Sequence, residues 1–252
     1  MKWGSFGLVH IATLVLAAAM ILGLYYALRR ASRKVQTAVL GVLSLSGIAA
    51  IVFNLVTWGS PLEYLPLHLC SLNAILLPIV VFTRSKTMGN MLLVWCLGAL
   101  AALVVNMAQA EYEINSWTFV FYYFPHVMEF GIPILLFKLG LVEKHQKYIP
   151  STLGLTMAIY TMIHFANLLI NDYCQKNQIL DYAGNVIKVN YMYSLVPENP
   201  LLVLFKMVIP YNYWYMYMIV PILAVYLVIV YMPQIRSARL HKTCGRVAKV
   251  HM

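Results

Sequence analysis

Cys70, His126 and Glu129 are ionisable side chains inside stretches of sequence that are otherwise almost free of charge. Cys70 stands with His68 and Asn73 early in one apolar segment. His126 and Glu129 stand early in a second, and His164, Asn167 and Asn171 late in a third. If neighbouring segments run in opposite directions, all of these fall at a similar depth. Ionisable and hydrogen-bonding groups are costly in hydrocarbon, so a shared depth points to a site. The residue types suit polar chemistry around a cysteine: a thiol, an imidazole that could serve it as a base, and a carboxylate that could hold that imidazole in one tautomer. Helical steps of about 100° turn His68 away from Cys70, so the base should come from another helix. His126 and Glu129, three apart, share one face, and the carboxylate is expected to hold the imidazole.

The elements that must position these groups follow from composition. The chain has 252 residues, with 62% hydrophobic and 10% charged. The charged share is far below the roughly 25% of soluble domains. Mean hydropathy is +0.76. Seven stretches are long and apolar enough for helices of about 20 residues, the length that crosses a bilayer: about 6–28, 36–58, 65–83, 90–109, 119–137, 149–171 and 212–233. The reading is an all-α polytopic membrane bundle of seven transmembrane helices, one integral domain over 1–252. β-barrel alternation is absent. The first segment is too long for a signal peptide and lacks a small-residue cleavage site.

The basic residues set an orientation. Arg29, Arg30, Arg33 and Lys34 follow the first span; Arg84 and Lys86 follow the third; Lys138, Lys144 and Lys147 follow the fifth. Arg236, Arg239, Lys242, Arg246 and Lys249 lie in the tail, so most of the 18 basic residues fall on one side. The positive-inside rule then places the N-terminus outside and the C-terminus inside. The net charge of +10 is an inner face toward anionic lipid, and calls for no nucleic acid.

Other features are bounded by simpler readings. Intramembrane asparagines commonly bind helices together, and this applies to the stripe of His164, Asn167 and Asn171, and to Asn54, Asn106 and Gln109 at the same depth. Tyr211, Tyr213, Trp214, Tyr215 and Tyr217 form an interfacial aromatic belt. The outer segment 172–211 carries an apolar stretch from Leu201 to Ile209, too short to span, which reads as an interfacial helix or a lid. Cys174 is placed in that outer loop, and a disulfide from it to Cys70 is disfavoured by depth. No cysteine spacing suggests a metal. Two further classes stay open. One is a seven-span metal-dependent lipid hydrolase using His68, His126 and His164 with Glu129. The other is a lipid or solute transporter or binding subunit lined by the same polar layer.

The run Leu65-Pro66-Leu67-His68-Leu69-Cys70-Ser71-Leu72-Asn73 resembles the hallmark of YwaF-like integral membrane proteins, bacterial relatives of the eukaryotic transmembrane protein 164 family. Pro125-His126 and the pair Asn190-Tyr191 ahead of Pro197 are also similar. Asn171 is separated from that pair by a polar insertion. The resemblance implies a phospholipid acyltransferase that carries the acyl chain on Cys70. His126 and Glu129 complete the catalytic set. Asn73, His68, Asn167, His164, Asn190 and Tyr191 form the expected substrate and oxyanion surroundings. Phospholipid and lysophospholipid are the expected partners, the bacterial cell membrane the expected location, and no cofactor or metal is required.

Overall fold

In the computed structural model, residues 1–250 are described apart from 59, 106–108 and 199; side chains are described except at 200 and 235–250. Asn106, expected in the polar layer, lies outside these residues. Among the described residues eight α-helices follow in chain order: α1 Leu8–Leu28, α2 Arg33–Thr57, α3 Leu69–Thr83, α4 Lys86–Val104, α5 Trp117–Lys138, α6 Ile149–Lys176, α7 Pro200–Val208 and α8 Ile219–Val250. No strand occurs among the described residues, which contain two isolated β-bridges.

Local sequence sets the boundaries. Ser32, Ser85 and Ser116 cap α2, α4 and α5, each side chain accepting the backbone N–H of the helix's third residue; such caps are worth about 1 kcal/mol each. Arg84 leaves α3 in the left-handed region at φ 54°. α5 has the most buried membrane-crossing window, 61% against 11% for α1. It packs on α1, α2, α3 and α4, while α6 packs on α4 and α8. Outward faces carry Val15, Val42, Val56, Leu169 and Val225, all exposed, as a surface solvated by lipid requires.

Among the described residues six helical stretches have the length and hydropathy to cross a membrane, the last being Trp214–Gln234. The third expected span is shorter than the sequence suggests. It begins at Leu69, not at 65, and runs 15 residues. At 1.5 Å per residue that is roughly 22 Å, short of a hydrocarbon core of about 30 Å. The residues before it, although apolar, are spent on a 3-10 turn at Pro61–Glu63 and an irregular lead through Pro66. The sixth helix runs on to Lys176 and so takes in Cys174, which is a buried free thiol.

Prolines inside α5 leave the helix continuous but free two carbonyls. Pro133 has no N–H for the carbonyl of Glu129, four residues earlier. Asn73 supplies the missing donor, its Nδ2 lying 3.4 Å from that oxygen. Asn73 is fully buried. Replacing Asn73 with Ala should therefore destabilise the bundle by about 1–3 kcal/mol, read as a lower midpoint in thermal unfolding of the detergent-solubilised protein. An unchanged midpoint would mean that the Glu129 carbonyl finds water or another donor.

Both ends of the bundle are tied down by polar groups. His10 is completely buried. Its Nδ1 accepts the Phe6 N–H at 2.9 Å and its Nε2 donates to the Leu103 carbonyl at 2.7 Å. At the other end Asn90 donates to the carbonyls of Lys86 and Glu143 and accepts the Tyr231 hydroxyl. Lys86 beside Glu143 holds that loop carboxyl below its ordinary range.

Candidate active site

A cavity of about 350 Å³ opens between one face each of α2, α3 and α5. α2 presents Gly47, Ala50, Ile51 and Asn54, a spacing of three and four that keeps one side of the helix toward the space, and Trp58 follows just past its end. α3 presents Cys70, Ser71 and Ala74; α5 presents Phe121, Tyr122, Pro125, His126 and Glu129. Gly47 is required at the closest approach: a Cβ there would lie 2.5 Å from the Ala74 Cβ and 3.2 Å from Glu129 Oε1. Trp58 and Tyr64, their rings stacked at 5.8 Å, line the cavity with Gln109 and Tyr112. Tyr112 is held by the first residues of the chain, whose Trp3 N–H donates to its carbonyl at 2.8 Å.

Cys70, His126 and Glu129 meet in this cavity. One side-chain ligand atom from each lies within 4.8 Å of the other two. That is loose for direct hydrogen bonds, but catalytic contacts commonly tighten when substrate binds. The imidazole is oriented by backbone. His126 Nδ1 lies 2.6 Å from the Tyr122 carbonyl, which can only accept, so Nδ1 carries the proton. Nε2 then presents its lone pair and has no partner among the described residues. Glu129 was expected to hold His126; the hydrogen bond that fixes the ring comes instead from one turn back along α5. Glu129 is 4% exposed, and its Oε2 has no hydrogen-bond partner. Donors of thiolate, imidazole and carboxylate type at this spacing could also hold a metal ion.

The other expected residues lie elsewhere. Asn167 is fully buried, and both its N–H groups are taken, by the Tyr191 carbonyl at 2.8 Å and the Ser194 hydroxyl at 2.9 Å. Its Oδ1 accepts the Tyr191 N–H at 2.9 Å. Asn171 makes the same paired contact with Val189, 2.9 and 2.7 Å. Two asparagines one helical turn apart thus read two alternate residues of an extended loop, as a neighbouring strand would. His164 Nδ1 lies 3.0 Å from the Ser194 hydroxyl. Asn190 closes its own turn through Leu195, Val196 and Glu198. The Tyr191 hydroxyl donates to the Leu62 carbonyl and accepts from Leu65 N–H. His68 accepts the Met192 N–H at 3.5 Å and stacks edge-on with Tyr191.

This second layer docks the 187–194 segment onto α6 and onto the lead into α3. None of its members lines the cavity, and His68, His126 and His164 are not gathered into one cluster among the described residues. Replacing Asn167 with Ala should raise amide hydrogen exchange at residues 189–194 by about tenfold, the scale of one lost buried hydrogen bond. Unchanged exchange there would show that the other contacts suffice. The cavity members that sequence reading missed as site residues, notably Tyr122 and Gly47, act through what their types do not announce: Tyr122 through its carbonyl and Gly47 through the lack of a side chain.

No curated protein and no solved structure matches the chain. Residues 5–231 match the TMEM164 family, whose extent takes in every cavity helix described above, and the protein belongs to that family.

Proposed function

We propose that the protein is a membrane-embedded phospholipid acyltransferase that carries the acyl chain on Cys70. The observation that carries this reading is the meeting of Cys70, His126 and Glu129 in one cavity, with His126 in the tautomer of a base. Membership of the TMEM164 family and the His68-Leu69-Cys70 segment support it. The thiol attacks a phospholipid ester, His126 takes the proton and returns it to the departing lysolipid hydroxyl, and a lysophospholipid later accepts the chain. The orphaned Glu129 oxygen stabilises the imidazolium or accepts a hydrogen bond from the incoming hydroxyl. No cofactor is needed in this scheme.

The topology that fits has seven crossings, α3 as a partial one, with the N-terminus outside and the C-terminus inside, as the basic residues favour. The cavity then opens near the outer leaflet, where phospholipid ester groups lie. α7 rests along the interface. It buries Leu202 and Phe205 against Tyr215, and turns Leu201, Leu204 and Met207 outward. Resemblance to YwaF-like proteins supports a bacterial cell membrane. The test is transfer of a labelled acyl chain between phospholipid and lysophospholipid by the purified protein in liposomes. Transfer is expected; none with any donor tried would overturn the reading.

One observation favours a second reading. The same three side chains are a plausible zinc set with a fourth position open to water, which would make the protein a metal-dependent lipid hydrolase. That reading predicts chelator-sensitive hydrolysis and one bound metal per chain.

A further inference from the structure

We infer that the oxyanion formed during acyl transfer is held by the first turn of α3, through the backbone N–H of Ser71, and not by Asn73 or Asn167. The inference rests on the acyl-cysteine reading and deepens it. Cys70 and Ser71 are the second and third residues of α3, and both line the cavity. A helix begins with N–H groups that have no partner within it. The first N–H that reaches back is that of Leu72, to the His68 carbonyl at 3.0 Å. His68 provides no side-chain cap. Among the described residues no backbone carbonyl takes the N–H groups of Leu69, Cys70 or Ser71.

A helix start left open in this way is expected to face water or a ligand. α3 is too short to cross a bilayer, so its uncapped start lies below the outer surface if its Arg84 end reaches the inner one. Bare N–H groups at that depth need an acceptor. A second and independent feature marks the same cavity as a place for a ligand. Glu129, more than nine-tenths buried, lines it with Oε2 unpaired. The side-chain amides named above are already engaged. Asn73 Nδ2 serves the Glu129 carbonyl, and both Asn167 N–H groups serve the 191–194 loop.

The step balances without a further reactant. Cys70 Sγ bonds to the ester carbon while its proton passes to His126 Nε2. The carbonyl π pair moves onto oxygen, and that O⁻ takes the Ser71 N–H, with the helix dipole adding to it. This is the geometry in which the amide following a nucleophile at a helix start forms the oxyanion hole. Collapse restores C=O and breaks the bond to the lysolipid oxygen, which leaves with the proton from His126. The acceptor hydroxyl runs the same sequence in reverse.

The test replaces the Ser71 amide by an ester, the residue entering as its α-hydroxy acid in the full-length protein in liposomes. Removing one oxyanion donor should slow acylation of Cys70 by about a hundredfold. Alkylation of Cys70 by iodoacetamide, a displacement that expels iodide and builds no oxyanion, should change by less than about fivefold, the scale of a helix-dipole contribution. Acylation at the wild-type rate, or an equal loss in both reactions, overturns the inference. Asn73→Ala gives the same decision if the ester variant does not fold. Its acylation rate per folded molecule should stay within about threefold, and a loss of about a hundredfold would return the hole to a side-chain amide. If the wild-type protein itself takes no label, the acyl-cysteine reading fails, and the inference with it.

Discussion

Replacing Cys70 with Ala is expected to abolish acyl transfer while the protein remains folded. Loss of a nucleophile in a catalytic constellation costs about 10^5-fold or more. The side chain is half-buried beside a cavity of about 350 Å³, so removing one sulfur leaves little new void. Stability should therefore change by less than about 1 kcal/mol. Transfer measured in liposomes, beside the thermal midpoint of the same preparation, separates the two effects. Activity near the wild-type level would remove the thiol from the mechanism. It would favour the transport reading, in which this cysteine is packing.

The second large effect falls on His126. With Nδ1 committed to the Tyr122 carbonyl, Nε2 is the ring atom free to take a proton. Replacing His126 with Ala should lower acylation of Cys70 by about 10^3-fold, within the range for a positioned general base. The truncation enlarges a cavity of about 350 Å³ by the volume of the lost ring. Added imidazole should consequently restore part of the rate in a concentration-dependent way. A structural histidine would not be rescued: its loss would lower the unfolding midpoint, and imidazole would leave the rate unchanged.

Much of the bundle was legible in the sequence because hydrocarbon selects for one pattern. A run of about 20 apolar residues has few stable alternatives; α1, α2, α5 and α6 overlie such runs, while α4 stops at Val104 and leaves Gln109, expected late in that span, outside the helix. α3 was less legible. Leu65, Leu67 and Leu69 look like one continuous apolar helix, but the turns at Pro61 and Pro66 delay its start to Leu69. That delay matters most, since it moves Cys70 from the body of a span to the first turn of a helix.

The candidate site was legible where chemistry forces rare residue types into apolar sequence. Cys70, His126 and Glu129 announced themselves by cost, and the fold brings them into one cavity. Residues that act through backbone did not. Tyr122 orients His126 by its carbonyl, and Ser71 offers an N–H, properties every residue shares. Asn73 illustrates the opposite error. Its amide beside Cys70 suggested an oxyanion donor, yet Pro133, sixty residues downstream, creates the carbonyl that engages it. Asn167, Asn171 and His164 share an expected depth with Cys70, His126 and Glu129, but face the 187–194 loop instead.

The most direct test follows the acyl group itself. The purified protein is incubated in liposomes with a phospholipid carrying a labelled chain, and its intact mass is measured before and after hydroxylamine. The account predicts one added acyl chain, released by hydroxylamine, mapped to Cys70 and missing from Cys70→Ala. An unlabelled protein that still cleaves lipid, loses that activity to a chelator and holds one metal ion would contradict it, and would assign the same three residues to a metal.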